Sequence, residues 1–381
     1  MNPIIIIGTG LAGYTLAREF RKLDSTTPLT LITTDDGGFY SKPMLSSALS
    51  QNKSADQLMS QDAVAMANTL QATILAHSRV DSIDPAAHTL SLGNARMSYS
   101  KLVLALGATP RDPQLPGSAA DRIMHVNTLA DYRVFRDTIA GKKRIAIIGG
   151  GLIGCEFAHD LNSAGFEVHL LHPAAQVLNR LAPEDVAGWL TAKLGDIGVR
   201  MHTLTKVERV DEGPDNTLAV RFNNGEQLVV DAVLSAIGLV PQTALAEEAG
   251  LQTGHAITVD TTLATSVPDI YALGDCAAVN GLWLPYVQPI MQAARALAKT
   301  LAGTPTEVAY PAMPVIVKTP RCPVVITPPP HGSAGQWQGE TTPEGINLTH
   351  QDTTGSTNGF ALAGNATSRR QELLKGLSAW L

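Results

Sequence analysis

The amino-acid sequence predicts an α/β fold: two parallel-sheet domains of one design, followed by a small C-terminal β-rich α+β domain. Three observations predict it. A glycine-rich loop occurs twice, each time directly after a short apolar run: Gly8-Thr9-Gly10-Leu11-Ala12-Gly13 follows residues 4–7, and Gly149-Gly150-Gly151-Leu152-Ile153-Gly154 follows residues 145–148. The exit from each domain repeats too, because Ala105, Gly107 and Pro110 are echoed by Ala236, Gly238 and Pro241 at a similar interval behind the loop, which points to an internal duplication. From Thr304 onward the composition turns to prolines and short β-branched runs such as residues 315–318 and 324–327.

Each loop has a physical logic. The first glycine allows a tight turn, the second lets the backbone approach a pyrophosphate, and the third packs helix on strand, while the helix N-terminus offers oriented N–H groups and partial positive charge. One copy alone would be weak. Two copies in the same strand-loop-helix setting define two Rossmann-like dinucleotide-binding domains and imply two nucleotides.

In chain order, residues 4–7 read as a fully buried strand, a helix runs from the first loop to about Lys22, and residues 29–34 form a second strand that ends at Asp35 and Asp36. Asp112-Pro113-Gln114-Leu115-Pro116-Gly117 reads as the linker into the second domain, where the pattern recurs with a helix through about Asn162 and a strand over residues 167–172. Residues 269–275 make a short strand ending on the carboxylate of Asp275, and residues 289–302 have helical periodicity, with Pro289 suited to the first turn and Gly303 to the stop. A last helix is expected near residues 369–380. The domain limits read from this pattern are 1–112 and 238–303 for the two parts of the first domain, 113–237 for the second, and 304–381 for the third.

Composition narrows the function. With 381 residues, 44% of them hydrophobic, the chain fills two to three cores. A net charge of −6 argues against a nucleic-acid partner. Met1-Asn2-Pro3 leads straight into the first strand with no basic leader, and no apolar stretch is long enough to cross a bilayer, so a cytoplasmic protein without membrane insertion is expected. Cys155, Cys276 and Cys322 are widely separated, which gives no disulfide framework and no metal-ligand spacing. Each reads as a small buried hydrophobe.

On these residues the chain resembles the two-dinucleotide-binding flavoproteins, that is, the pyridine-nucleotide-dependent disulfide reductases and their thiol-free ferredoxin and rubredoxin reductase relatives. The resemblance implies an NAD(P)H-dependent oxidoreductase with FAD on the first loop and NADH, with NADPH as the alternative, on the second. It carries FAD or pyridine-nucleotide contacts onto Gly8, Gly10, Leu11, Ala12 and Gly13, onto Pro43, Val80, Ala105 and Arg111, and onto Gly149, Gly151, Leu152, Ile153, Gly154 and Gly238. Gly274 and Asp275 would return to the FAD, and the helix starting near Pro289 and Ile290 would aim its N-terminus at the flavin. Asp35 is assigned to the adenosine ribose, with Asp36 as its rival and a plain turn as the alternative for either.

Three residues are singled out for the redox centre. Tyr40-Ser41-Lys42-Pro43-Met44-Leu45-Ser46 is similar to the relatives' Tyr-Asp-Arg-Pro-Pro-Leu-Ser-Lys along the flavin, with Lys42 at the arginine position and Ser47 where the relatives have a second lysine. Glu156 sits at the position that reaches toward the nicotinamide carboxamide, unless it serves only the helix dipole. The second sheet's ribose position is Leu171-His172-Pro173, with neither the usual acid nor an arginine; NADH is favoured because no cationic cluster is there to pair a 2′-phosphate.

Neither cysteine pair of the disulfide reductases is present, so reduced flavin must hand electrons to something outside the chain. The Val317-Lys318-Thr319-Pro320 segment, with the Tyr40 motif, looks most like the NADH:rubredoxin reductases of alkane-oxidation systems. That implies rubredoxin, an acidic iron protein, as partner, with Lys42 and Lys318 steering its docking, although Lys318 also reads as a plain exposed strand residue. A ferredoxin reductase, an NADH oxidase and a non-enzymatic FAD- and NADH-sensing protein are the alternatives.

Overall fold

The computed structural model describes residues 2–330 and 332–381; Met1, part of the N-terminal sequence reading, lies outside them. Two five-stranded parallel sheets form the body. In the first, the strands lie in the order Ile270–Ala272, Lys101–Leu104, Ile4–Ile7, Leu29–Ile32, Thr73–Leu75. The second has the order Ile123–Met124, Ala232–Ser235, Arg144–Ile148, Glu167–Leu171, Arg200–His202. Four strands correspond one to one. The fifth comes from opposite directions along the chain, arriving after the second domain in one sheet and before the repeated unit in the other.

The central strands carry almost nothing but Ile, Leu, Val and Ala because both faces are covered: in the second sheet Ile145 and Ile147 share a core with Phe157 and Leu161 of a helix, and Ala146 and Ile148 share one with Val210 and Val220 of an antiparallel sheet. Each sheet also has a three-stranded antiparallel companion, Ser82–Asp84 with Thr89–Leu92 and Ala95–Ser98 in one case, Val207–Glu212 with Leu218–Phe222 and Gln227–Val230 in the other. The duplicated exits that the sequence shows are partners in space. Ala108–Pro110 pairs antiparallel with Leu239–Pro241, so the outward and return crossings form a two-stranded ribbon, and Arg111 N donates to Gly238 O across it at 2.9 Å.

The third domain is a five-stranded antiparallel sheet in the order Val315–Val317, Val324–Thr327, Thr357–Gly364, Gly345–Asp352, Gly335–Thr342. Two sequence expectations change here. The terminal helix is only Arg370–Leu374, preceded by a 3-10 turn over Asn365–Arg369, because the chain leaves it to bring Trp380 and Leu381 into a backbone pairing with Tyr310. The segment after Gly303 does not start the third domain at once: Val308, Tyr310 and Met313 are buried in the core of the first. The third sheet itself packs largely on the second domain, where Val317, Val324, Ile326 and Leu348 share a core with Phe157 and Leu161.

Candidate functional site

Both glycine loops have the stereochemistry their sequence predicts. Gly8 and Gly149 take φ of +113° and +112°, and a Cβ on either would collide with a carbonyl oxygen of the neighbouring strand's end, that of Ala105 or Ala236. Gly13 and Gly154 are closed in the same way by the carbonyls of Gly8 and Gly149. The middle glycines differ: a Cβ on Gly10 or Gly151 would meet nothing within 4 Å. That open side is where a pyrophosphate would approach. Helices Leu11–Arg21 and Leu152–Ser163 start there without a side-chain cap, so their first N–H groups are left for an anion. Leu11 and Leu152 open these helices, Ala12 is buried behind the first loop, and Ile153 is exposed beside the second.

Strand Ile270–Ala272 pairs with Lys101–Leu104 and delivers Gly274 and Asp275 to the first loop, where a Cβ on Gly274 would lie 2.8 Å from that of Ala12. Asp275 Oδ1 is buried without a hydrogen-bond partner. Burial pushes its carboxyl above the usual carboxylate range, and Lys42 opposes the shift. Lys42 is itself largely enclosed; burial lowers its ammonium, Asp275 and Asp131 raise it, and it makes no hydrogen bond or ion pair among the described residues. An orphaned acceptor, an unpaired cation and an open glycine cradle side by side fit a polar, phosphate-bearing cofactor such as FAD. Val80 and Ala105 are buried in the core of the first domain, and Pro43 is the second residue of the 3-10 turn Lys42–Ser47. Helix Val287–Leu301, with Pro289 and Ile290 buried in its first turn, also begins without a side-chain cap. The Arg111 side chain is exposed at the crossing ribbon, its backbone bonded to Gly238.

Asp35 is exposed and closes a turn: its Oδ1 accepts from Thr33 Oγ1 at 2.7 Å, Gly37 N at 2.9 Å and Thr9 Oγ1 of the first loop at 3.3 Å. Its Oδ2 makes no hydrogen bond among the described residues. Asp36 caps only Gly38. The contact with Thr9 puts Asp35, and not Asp36, against the loop.

Glu156 and Lys318 meet. Glu156, 1% exposed on the second turn of its helix, accepts from Ser46 Oγ at 2.6 Å, from Lys318 N at 3.1 Å and from the Lys318 ammonium. Lys318 Nζ also donates to Pro43 O and Ser46 Oγ, both at 2.7 Å. One carboxylate and one ammonium therefore join all three domains. This corrects the expectation that Lys318 is an exposed docking lysine, since all three of its N–H donors are directed inward. Lys42 is half-buried, with Asp275 and Asp131 acting on its charge. The same helix carries two further junction residues that sequence reasoning missed. Asp160 accepts from Leu49 N, Ser50 N and Ser50 Oγ, and His159 Nε2 accepts from Arg321 N at 3.3 Å. The signal was available: Glu156, His159 and Asp160 lie at i, i+3 and i+4, one polar stripe on an otherwise apolar helix.

The three cysteines are buried and free. Burial pushes the Cys276 thiol up to about 11 and the Cys155 thiol higher still. Among the described residues no cluster of His, Cys, Asp or Glu could hold a metal ion, and no helix is long and apolar enough to cross a membrane.

A two-loop body of this kind defines a class, and the comparisons agree. Residues 2–300 match the pyridine nucleotide-disulphide oxidoreductase family, and residues 307–377 match the rubredoxin binding C-terminal domain. The chain belongs to the pyridine nucleotide-disulphide oxidoreductase family. It is 46% identical to a rubredoxin-NAD(+) reductase of Alcanivorax borkumensis over all of this chain and 99% of that protein. It is also 46% identical to a rubredoxin-NAD(+) reductase of Acinetobacter baylyi over 98% of this chain and 96% of that one. Among solved structures, the ferredoxin reductase for the CYP199A2 system of Rhodopseudomonas palustris superposes with a TM-score of 0.88 at 25% identity, covering 99% of this chain and 96% of that one.

Proposed function

We propose that this chain is a cytoplasmic NADH:rubredoxin oxidoreductase. The observation that carries the reading is the match of residues 307–377 to a rubredoxin binding domain, set on a body with two dinucleotide cradles and no cysteine pair. Bound on the first loop, FAD would supply the redox chemistry between NADH, a two-electron donor, and rubredoxin, a one-electron acceptor. The remaining roles belong to the chain. The loop from Gly8 to Gly13 and the start of helix Leu11–Arg21 would hold the FAD pyrophosphate; Asp275 would accept from its ribityl and phosphate region, Asp35 from its adenosine ribose, and Lys42 would supply a cation to it.

The loop from Gly149 to Gly154 holds NADH. Glu156 positions the nicotinamide, and Lys318 pairs with Glu156 and holds it in place, supplying from the third domain the cation absent at Ser47. The start of helix Val287–Leu301 opposes negative charge that gathers on the reduced cofactor. Buried thiols of raised pKa support electron release without a sulfur relay. The sequence resemblance extends the reading to a rubredoxin that serves an alkane hydroxylase.

Anaerobic stopped-flow reduction by NADH, followed by reoxidation with rubredoxin, a [2Fe-2S] ferredoxin or oxygen, tests the assignment. Rubredoxin is expected to be the fastest acceptor. Faster transfer to ferredoxin or to oxygen overturns it.

A further inference from the structure

Strand Glu167–Leu171 leads into His172, the position from which a dinucleotide-binding sheet usually presents an acid to the adenosine ribose. The structure turns this imidazole back onto the second glycine loop. His172 is 9% exposed; its Nδ1 lies 3.1 Å from Gly150 N and its Nε2 lies 3.3 Å from Asn179 Oδ1. The Gly150 N–H can only donate, so Nδ1 must be unprotonated and the ring proton sits on Nε2, pointing at Asn179. Ring and loop are in contact: a Cβ on Gly150 would come within 2.8 Å of His172 Cγ. On its other side Gly150 O accepts from Leu178 N at 2.8 Å. Segment 172–179 thus grips the middle of the loop through both its N–H and its C=O. In the first loop the matching residue, Thr9, is tethered, among the described residues, by its side chain to Asp35.

We propose that His172 is a positioning residue for NADH: its neutral imidazole fixes the glycine loop in the shape that receives the pyrophosphate, and protonation releases that loop. The inference rests on the reading that the second loop holds NADH. An imidazolium would set a second N–H against that of Gly150, replacing a hydrogen bond with opposed donors. Burial holds the imidazole below its ordinary range, with the Asn179 bond and a Gln176 backbone bond opposing and the charge of Arg180 adding to the depression. From the neighbouring strand Arg200–His202 only backbone reaches it, through His202 O, because the His202 ring is bonded to His169. Among the described residues Arg180 is therefore the charged group that acts on it. NADH affinity is lost as pH falls through the imidazole pKa, while hydride transfer from bound NADH is untouched.

The test is the flavin-reduction half-reaction of the holoenzyme by NADH from pH 5.5 to 8.5, for the natural protein, His172→Asn and His172→Ala. Asparagine keeps an acceptor near the Nδ1 position and does not titrate. The natural protein is expected to lose apparent NADH affinity as pH falls from 8 to 5.5, by less than the roughly tenfold that a single imidazole at its ordinary value would give, with its limiting reduction rate within about twofold. His172→Asn should show a flat affinity profile, and His172→Ala the weakened affinity at every pH. The proposal is overturned if His172→Asn keeps the natural pH profile, or if His172→Ala binds NADH as the natural protein does. Should His172→Ala fail to fold, the comparison with His172→Asn decides alone. If the second loop held FAD instead, both variants would lose 450 nm absorbance per chain with NADH affinity unchanged, which overturns the loop assignment and this proposal with it.

Discussion

Replacing Lys318 with methionine removes the ammonium from Glu156 while leaving a side chain of similar length. The carboxylate stays 1% exposed with two neutral donors, Ser46 Oγ at 2.6 Å and the residue 318 backbone N–H at 3.1 Å. Breaking a buried ion pair from one side costs about 3–5 kcal/mol. The Lys318 side chain retains 29% exposure, so water already screens part of the attraction. With the two remaining donors offsetting some desolvation, the expected loss is about 2–3 kcal/mol at pH 8.

Urea unfolding of the FAD-loaded protein at pH 8 should show this loss directly. Adding Glu156→Gln to Lys318→Met should recover much of the loss at pH 8, because no charge is left to bury. If Lys318→Met is as stable as the natural protein at pH 8, or if the second substitution recovers nothing, the buried pair is not what joins the domains.

Gly8→Ala should yield colourless protein and Gly149→Ala yellow protein that NADH no longer bleaches, since each Cβ meets a carbonyl oxygen at a φ that costs a non-glycine residue about 1–3 kcal/mol; absorbance at 450 nm before and after NADH checks both. Asp275→Asn should weaken FAD about tenfold or more in fluorescence titration, because it removes the charge from an acceptor that has no partner among the described residues. Asp231→Asn should cost about 1 kcal/mol at pH 7 in urea unfolding. Arg144 holds the Asp231 carboxyl down to about 2, so the natural protein's advantage is present above the unfolded pKa of about 3.9 and disappears as pH falls through 2; partial exposure of Arg144 keeps the effect small. Replacing Cys155, Cys276 and Cys322 together with alanine should leave electron transfer from NADH to rubredoxin within about threefold, as steady-state assays would show.

The parts of this molecule written in local sequence were readable. The glycine loops are dictated by sterics at single positions, and the strands behind them are short runs that only a sheet covered on both faces can bury. Helix Leu152–Ser163 and strand Val324–Thr327 fall where periodicity puts them. What sequence did not disclose is pairing over distance. Ala108–Pro110 and Leu239–Pro241 are recognisable as echoes of each other, yet nothing local says that they hydrogen-bond. Lys318 follows an alternating Val-Ile-Val strand and so reads as an exposed strand residue, but the strand stops at Val317 and the lysine turns inward to a carboxylate far away in the chain. In sequence His172 shows only a lack of charge, whereas the role proposed for it lies in a lone pair, and a lone pair's partner is a matter of folded geometry. The five-residue terminal helix failed for a related reason: the tail's contacts with Tyr310 outweigh the propensity of residues 375–380.

The first sheet takes its outer strand, Ile270–Ala272, from beyond the whole second domain. During synthesis the edge of Lys101–Leu104 must therefore stay open while residues 105–269 leave the ribosome, on the order of ten to thirty seconds at roughly 5–20 residues per second. The inserted unit needs no such wait, because Ile123–Met124 already precedes it. The nascent chain should close its NADH-type half first and its flavin-type half last, with cofactor capture as a late event that seals a naked strand edge otherwise open to misassembly.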